Sequence, residues 1–342
     1  MAQQDLEAIA QKMVEKPKGI LAMDESDGTI GKRLKEVGLE NTEEVRRAYR
    51  EMLIATPGLG QYISGAILFT ETLSQKTDDG IPFPQALESQ GIMPGVKVDL
   101  GLEEMPGHPG EFVTRGLDGL EKRLEDFRNK GARFVKWRGV IYIDVGKGMP
   151  SQDCIYENAD RLGQYARISQ RQGLVPIVEP EVEMSGSHSI EDCYSITKAT
   201  LSKVFERLRY HEVNLKGMVL KPNMVVPGKD YQNGRSSPEV IAELTVKALL
   251  ATVPRDVPGI AFLSGGLSDE DATTYLNKMN RMYGEKLPWN LTFSFGRGLQ
   301  REPLKIFAAK GPDYIKNAQE ALLQRAMECS LATVGNYIPH KS

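Results

Sequence analysis

Charged side chains that could do chemistry stand in this sequence where short apolar runs end. The run 218–220 leads directly into Lys221, which is followed by Pro222. A lysine at the end of a buried strand can carry its amine to water along its aliphatic stem, so Lys221 alone is weak evidence for a functional site. The other apolar runs decide whether this lysine is unusual.

Several further apolar runs also end in charged residues. Together these residues are Asp24, Lys97, Asp99, Lys136, Arg138, Glu179, Glu181 and Lys221. Three pairs in this set are two residues apart, so the members of each pair face the same side of a strand. Ion pairing that only stabilises the strand ends is one interpretation. An active site is favoured, because helices should cover the outer face of such strands and leave no need to solvate it.

The elements that must position these residues are eight short runs typical of β-strands, which alternate with helical patterns. The runs are 19–26, 62–69, 92–99, 134–141, 174–182, 217–223, 259–266 and 291–297. Such alternation predicts parallel βα units, which form an open doubly wound sheet or close into a barrel of about 250 residues. No G-x-G-x-x-G opens a helix after the first run, as a dinucleotide-binding sheet would require. We therefore predict an α/β fold, a (β/α)8 TIM barrel, with catalytic residues at the C-terminal ends of its strands.

The predicted barrel occupies about residues 19–310 of a single domain that spans 1–342. An extra N-terminal helix precedes the barrel, and a helix with a short tail follows it over 311–342. The weakest helical pattern lies between the second and third strands.

Local signals predict where some of the helices begin. Apolar residues recur with helical spacing from Leu117 to Phe127. Ser189 and Asp192 have the spacing of a capping box, and Ser237 precedes a proline as an N-cap would.

Composition excludes several classes of protein. The chain has 342 residues, 40% of them hydrophobic, which is a globular composition. Its net charge of −3 argues against nucleic acid or an anionic membrane surface as the main partner. Three scattered cysteines argue against a disulfide framework and for a reducing compartment. The acidic opening segment resembles neither a signal peptide nor a transit peptide, and no stretch reaches the roughly 20 apolar residues of a membrane span. We expect a soluble cytoplasmic protein, and the mature form of a plastid protein stays open.

The charged set contains no histidine, which bears on the choice of chemistry. His108, His188, His211 and His340 show no metal-ligand spacing. Carboxylates alone could hold magnesium, but the nearby lysines would compete with the ion. We therefore expect neither a metal nor another cofactor. A carbonyl compound can instead be activated by a lysine Schiff base, when burial and neighbouring cations lower the pKa of the lysine to about 7–8.

Among the three lysines of the set, Lys221 has the most apolar approach and is the predicted nucleophile. Lys97 and Lys136, on neighbouring strands, are the predicted neighbouring cations. Glu179 is one strand away from Lys221 and is predicted to move protons while a carbinolamine forms and loses water.

Glycine-rich turns end the last two strands, as "LSGG" (263–266) and "FGRG" (295–298). Exposed backbone N–H groups and a guanidinium at this place are typical of phosphate binding in barrels. The predicted phosphate ligands are the glycines of these two turns and Arg297. A second anion could be held on the opposite side by Ser26, Thr29, Lys97 and Arg138. A small-molecule substrate with two phosphates fits this arrangement.

The ordered motifs "MDES", "KVD", "KWR", "VEPE", "LKPNM", "FLSGG" and "SFGR" resemble the class I fructose-bisphosphate aldolase family from about residue 19 to residue 337. The resemblance implies a metal-independent lyase, and the family suggests that it is a homotetramer. It would cleave fructose 1,6-bisphosphate reversibly to dihydroxyacetone phosphate and glyceraldehyde 3-phosphate, in glycolysis, gluconeogenesis or the Calvin cycle.

The same resemblance implies roles for the site residues. Lys221 would form the Schiff base and Glu179 would dehydrate the carbinolamine. Asp24 and Lys136 would position substrate hydroxyls and assist C–C cleavage, while Glu181 would support the lysines. The C1 phosphate would bind to Ser264, Gly265, Gly296 and Arg297. The C6 phosphate would bind to Ser26, Thr29 and Lys97, with Arg138 nearby.

The end of the sequence departs from the family pattern. Well-studied relatives continue into a tail that ends in tyrosine, which helps to exchange a proton on the three-carbon enamine. Here the sequence ends "NYIPHKS", and Tyr337 is not terminal. The partner for this proton transfer is therefore open.

Two other functions compete with this interpretation. Another lysine-dependent sugar-phosphate aldolase or transaldolase would not require two anion sites. A non-catalytic barrel scaffold would not need both carboxylates and all three lysines.

Overall fold

A closed parallel barrel is the centre of the computed structural model, which describes residues 3–232, 234 and 236–339. The strands are β1 (Gly19–Met23), β2 (Ile63–Leu68), β3 (Met93–Lys97), β4 (Leu102–Glu104), β5 (Phe112–Thr114), β6 (Phe134–Ile141), β7 (Val175–Val182), β8 (Val219–Leu220), β9 (Gly259–Phe262) and β10 (Asn290–Phe295). β4 and β5 form a separate antiparallel hairpin. The other strands close in the order β1-β10-β9-β8-β7-β6-β3-β2, which confirms the predicted (β/α)8 barrel.

Helices surround the barrel. They are α1 (Gln3–Met13), α2 (Asp27–Glu36), α3 (Glu43–Ile54), α4 (Thr70–Leu73), α5 (Phe83–Glu88), α6 (Leu120–Asn129), α7 (Gln152–Arg171), α8 (Ile190–Tyr210), α9 (Pro238–Thr252), α10 (Asp269–Tyr283), α11 (Arg297–Ala309) and α12 (Tyr314–Thr333). Within the described ranges, no helix is long and apolar enough to cross a membrane.

Each of the eight predicted runs contains a barrel strand, but most observed strands end earlier than predicted. The sixth run, 217–223, contributes only the two residues of β8. Pro222 has no N–H to donate to the ladder. The Lys221 N–H still donates to the Val178 carbonyl at 2.8 Å, and the Pro222 carbonyl accepts from Leu263 N–H at 3.1 Å. Lys221 is therefore held in register with its neighbours although it lies just beyond the strand.

The barrel interior is apolar at its N-terminal end. Buried residues there include Ile20, Ile67, Phe134 and Val219, and side chains of α1 such as Met13 pack against them. A second, larger core fills the space between the strands and the outer helices. The N-terminal end is thus closed by α1, and the polar side chains gather at the other end.

Several local predictions can be compared with the helices. The capping box of Ser189 and Asp192 is present, and Ser237 accepts a hydrogen bond from Val240 N–H. The helix expected from Leu117 begins instead at Leu120, because Gly119 before it adopts a left-handed φ of 64°.

Other features follow from weak sequence patterns. The weak stretch between the second and third strands holds only the short helices α4 and α5. The β4–β5 hairpin was not predicted, because β4 is exposed and shows no apolar alternation. The expected C-terminal helix is α12, and His340 lies outside the described residues.

Packing around Phe134 gives a test of the barrel core. Gly95 pairs with Phe134 across β3 and β6, and a Cβ at Gly95 would overlap the phenylalanine ring. We expect Gly95→Ala to lower the free energy of unfolding by about 1–3 kcal/mol through overpacking, and Phe134→Leu in the same chain to recover part of the loss. Urea unfolding measures both. Gly28→Ala is the control, because a Cβ there meets nothing within 4 Å. Equal stability of Gly95→Ala and wild type would contradict the packing.

Candidate active site

One cavity of about 540 Å³ opens at the C-terminal ends of the barrel strands. All the residues predicted for catalysis and phosphate binding line it. They are Asp24, Ser26, Thr29, Lys97, Lys136, Arg138, Glu179, Glu181, Lys221, Ser264, Gly265, Gly296 and Arg297. The structure therefore brings the whole predicted set together, and their individual roles stay predictions.

A chain of buried ion pairs lies at the bottom of this cavity. Glu179 contacts two lysines, with Oε1 3.1 Å from Lys221 Nζ and Oε2 3.2 Å from Lys136 Nζ. Lys136 Nζ also lies 2.6 Å from Asp24 Oδ2. The side chains of Lys136, Glu179 and Lys221 are each 5% exposed. Two lysines and two carboxylates thus form one compact cluster.

Strand register places the members of this cluster side by side. β6 pairs with β7 so that Arg138 is opposite Glu179, and β7 pairs with β8 so that Val178 is opposite Leu220. Lys221 follows Leu220 and therefore stands level with Glu179. Because side chains alternate along a strand, the i, i+2 pairs of β6 and β7 both face the cavity.

The charges of the cluster set the protonation of its members. Burial alone would raise the pKa of Asp24, but the charge of Lys136, and then those of Lys221 and Lys97, hold that pKa well below its usual range. Burial also opposes ionisation of Glu179, and Lys136, Lys221 and Arg138 lower its pKa nevertheless. Burial would lower the pKa of Lys136, but Asp24 and Glu179 raise it above its ordinary value. Lys136 is thus a cation and both carboxylates are anions near neutral pH.

The second layer of charges lies closer to the cavity mouth. The Arg138 guanidinium bonds Glu181, and Lys97 Nζ lies 2.6 Å from Asp99 Oδ1. Among the described residues Glu181 has no lysine partner, so its support of the lysines remains a prediction. Lys97 and Lys136, expected to act as neighbouring cations, are each paired with a carboxylate.

Two chain segments form the wall that was predicted to bind phosphate. Arg297 begins α11, and the position of a Cβ on Gly298 would be 3.3 Å from Ser264 Oγ, so this helix start lies against the end of β9. Burial lowers the pKa of Arg297, and the charges of Arg33 and Arg301 lower it further. Free N–H groups of a helix start and crowded guanidinium groups favour an anion here.

The ring order of the strands divides the residues predicted for a second anion. Lys97 on β3 stands across the barrel from Ser264, which follows β9, and Arg138 stands across from Arg297. Ser26 and Thr29 follow β1, which closure makes the neighbour of β10. The four residues therefore do not share one wall.

The sequence reasoning missed a group of residues around Glu25, whose buried carboxylate receives three side chains. Arg50 lies 2.6 Å away, Gln300 donates at 3.0 Å and Arg33 bonds the same group. Arg33 also lines the cavity. The adjacent basic pair "KR" at 32–33, one helical turn after Thr29, is the sequence signal that could have indicated this wall.

Ser294 was also missed. Its hydroxyl is buried, it lines the cavity, and it has no hydrogen-bond partner among the described residues. The serine of "SFGR" stands at the end of β10, where a polar side chain could have been noted from the sequence.

Metal-ligating side chains and the last tyrosine also bear on the chemistry of the site. In the part of the chain that the structure describes, no group of three or more His, Cys, Asp or Glu side chains could hold a metal ion. All three cysteine thiols are free and buried. Tyr337 is fixed by two hydrogen bonds of 3.0 Å between its backbone and the Asn277 amide. It lines a separate cavity with Lys16 and Asn290, which precede or begin strands and so lie at the opposite end of the barrel.

Fold and site define a (β/α)8 barrel with a buried lysine–carboxylate centre at its C-terminal mouth. The family model described as fructose-bisphosphate aldolase class-I matches residues 5–342. The chain belongs to the class I fructose-bisphosphate aldolase family.

Individual proteins show the same similarity. A probable fructose-bisphosphate aldolase class 1 of Xanthomonas axonopodis pv. citri is 50% identical over 337 residues, 98% of this chain and 99% of the relative. Fructose-bisphosphate aldolase 6, cytosolic, of Arabidopsis thaliana is 52% identical over 320 residues, 94% of this chain and 88% of the relative. A solved fructose-bisphosphate aldolase of Plasmodium falciparum, in a ternary complex with TRAP and an inhibitor, has a TM-score of 0.96 and 47% identity, covering 98% of this chain and 96% of that one.

The lowered pKa of Asp24 predicts how stability depends on pH. In the unfolded chain this pKa is about 3.9. Asp24 therefore stabilises the fold fully above that pH and loses its contribution as pH falls through the folded pKa. We expect Asp24→Asn to lower the free energy of unfolding by about 3–5 kcal/mol at pH 7, because Lys136 loses a buried partner.

Urea titrations between pH 7 and pH 3 measure this difference. It should shrink as pH falls below about 4. Asp79→Asn, on an exposed side chain, should match wild type throughout. A difference that grows on acidification would contradict the ion pair.

Proposed function

We propose that this chain cleaves fructose 1,6-bisphosphate reversibly to dihydroxyacetone phosphate and glyceraldehyde 3-phosphate through a Schiff base on Lys221. Family membership and relatives named as fructose-bisphosphate aldolases support the reaction. The observation that carries the assignment of the nucleophile is the pairing of Lys136 with two carboxylates. That pairing keeps Lys136 protonated. Lys221 shares Glu179 with it and is 5% exposed, whereas Lys97 is paired with Asp99 and is 16% exposed, which supports Lys221 as the amine that attacks.

In the first stage the Lys221 amine attacks C2 of the open-chain ketose. The C2 oxygen takes up a proton and the resulting carbinolamine loses that oxygen as water, which leaves a protonated imine. Glu179 is the proposed group that gives and takes these protons, which the 3.1 Å between its Oε1 and Lys221 Nζ supports. Its second oxygen contacts Lys136, which can supply charge compensation as Glu179 changes protonation.

In the second stage the imine accepts the electron pair of the C3–C4 bond. The C4 hydroxyl loses its proton to a carboxylate of the cluster and becomes the aldehyde of the first product. Asp24 and Lys136, paired at 2.6 Å, are proposed to hold the hydroxyl for this step. Protonation of the enamine at C3 and hydrolysis of the imine then release dihydroxyacetone phosphate and restore Lys221.

The two phosphates are proposed to bind at opposite sides of the mouth. Ser264, Gly265, Gly296 and Arg297 are the proposed ligands of the C1 phosphate. Lys97, across the barrel from Ser264, is the proposed ligand of the C6 phosphate. Arg138 on the neighbouring strand, and Ser26 and Thr29 after β1, are proposed to approach it from other sides of the mouth. Holding both ends of the substrate fixes C2 near Lys221, which is how positioning accelerates attack.

The remaining properties rest on relatives. Aldolases named cytosolic or cytoplasmic support a cytoplasmic location for this chain. A homotetramer is proposed from the family, with sedimentation as its test. We also propose that α12 belongs to the same domain as the barrel, since it packs on α10 and α11.

Borohydride trapping tests the nucleophile. Incubation with dihydroxyacetone phosphate and borohydride, in buffer with EDTA, should reduce the imine to a stable secondary amine and inactivate the enzyme. Peptide mapping should place a single adduct on the "LKPNM" peptide. Lys221→Met keeps similar bulk without the amine, so it should abolish both trapping and detectable cleavage.

Lys136→Met is the matched control. It should slow the reaction while the adduct stays on Lys221. An adduct on Lys136 or Lys97, or activity surviving in Lys221→Met, would overturn the assignment. Loss of wild-type activity in EDTA, restored by a divalent cation, would overturn the metal-independent mechanism.

Substrate comparison tests the two phosphate sites. Arg297→Ala should raise the KM for fructose 1,6-bisphosphate and for fructose 1-phosphate, because a lost charged hydrogen bond costs about 1.5–3 kcal/mol. Lys97→Ala should raise the KM for the bisphosphate far more than for the monophosphate. Equal effects of Lys97→Ala on both substrates would show that Lys97 does not hold the C6 phosphate.

A further inference from the structure

One partly buried guanidinium outside the cavity joins the two segments proposed to bind the C1 phosphate. Arg325 lies on α12, and its side chain is 16% exposed. Its Nε donates to the Gly298 carbonyl at 3.2 Å, and its Nη2 donates to the Asp269 carbonyl at 3.0 Å. Gly298 is in the first turn of α11, and Asp269 is the first residue of α10.

These two carbonyls belong to the chain segments that carry the phosphate ligands. Asp269 follows the turn that contains Ser264 and Gly265, and Gly298 directly follows Arg297. The position of a Cβ on Gly298 would be 3.3 Å from Ser264 Oγ, so the two segments touch. A small shift of either helix start would change the gap that a phosphate must fill.

The guanidinium itself is held on all sides. Its Nη2 also donates to Thr273 Oγ1 at 2.9 Å, and its Nη1 bonds Glu328 one turn along α12. Glu328 in turn accepts from Gln324 at 2.8 Å. The N–H donors of a guanidinium point in fixed directions within one plane. The carbonyls that accept from them are therefore held at a fixed separation.

We infer that Arg325 is a positioning residue for the C1-phosphate site: its guanidinium sets the spacing between the Ser264–Gly265 segment and the Arg297–Gly298 segment. This inference rests on the proposed function. Arg325 does not line the cavity and acts through the peptide groups of Asp269 and Gly298. The C-terminal helix thereby contributes to substrate affinity from outside the barrel.

The test compares two substrates that share the C1 phosphate and differ at C6. Arg325→Met should raise the KM for fructose 1,6-bisphosphate and for fructose 1-phosphate by the same factor, about tenfold, with kcat within about twofold. Arg325→Lys keeps the charge but presents a point donor that cannot span both carbonyls, so it should resemble Arg325→Met. Lys316→Met, an exposed cation on the same helix, is the matched control and should leave KM unchanged.

Several results would overturn the inference. An unchanged KM in folded Arg325→Met, or a KM increase confined to the bisphosphate, would each contradict it. A wild-type KM in Arg325→Lys would also contradict it, because the charge alone would then be enough. If Arg325→Met does not fold, Arg325→Lys carries the comparison with wild type.

Calorimetry with inorganic phosphate separates this inference from the proposed function. Wild type should bind phosphate, and the Arg325 variants should bind it about tenfold more weakly. A wild type without cleavage activity but with this phosphate response would contradict the proposed function and support the inference. If wild type cleaves the substrate but the Arg325 substitutions leave phosphate affinity unchanged, the proposed function is supported and the inference is contradicted.

Discussion

Burial of Lys136 between Asp24 and Glu179 is the interaction on which the site depends. Taking an ammonium group out of water is unfavourable unless opposite charges and hydrogen bonds surround it. Two carboxylates from two other strands meet that requirement here. The same contacts distinguish Lys136 from the other lysines of the cavity, because a lysine held by two anions stays protonated. Lys221, which shares Glu179 with Lys136, is the proposed nucleophile.

Barrel closure brings Asp24, Lys136 and Glu179 together. Strands β6, β7 and β8 are neighbours, and β1 stands opposite β7. Charged residues from distant parts of the sequence therefore meet at the C-terminal end of the barrel, next to its apolar interior. Outer helices then fix the loops that follow the strands. Arg50 on α3 and Gln300 on α11 both hold Glu25, next to Asp24 in sequence. The polar mouth is thus stabilised by side chains that never enter the cavity.

The sequence predicted the parts of the structure that depend on local patterns. Apolar runs located every barrel strand, and the i, i+2 spacing correctly placed Glu179 and Glu181 on the cavity side. Strand ends were less predictable, because Pro222 and the polar residues leave the ladder earlier than the apolar pattern suggests. The β4–β5 hairpin is exposed and lacks apolar alternation, so no local signal announced it.

Long-range contacts within the site were beyond such patterns. The Glu25 network joins residues up to 275 positions apart, and no spacing rule connects Gln300 with Glu25. The position of Ser26 and Thr29 beside the β10 wall is likewise a result of ring closure, which makes the first and last strands neighbours. Chemistry could be inferred from residue types at strand ends, whereas the supporting contacts required the fold.

The apolar seal formed by α1 beneath the barrel has a consequence for the order of events. With Met13 and its neighbours packed under Ile20 and Val219, the reaction chamber is blind at one end. Within the part of the chain that the structure describes, reactant, water and both products would then pass through the mouth at the C-terminal ends of the strands. In the proposed mechanism one fragment stays covalently bound to Lys221 while the aldehyde is free, so the aldehyde leaves through that mouth before hydrolysis releases the other fragment. The closed N-terminal end and the proposed covalent intermediate together give an ordered release of the two products.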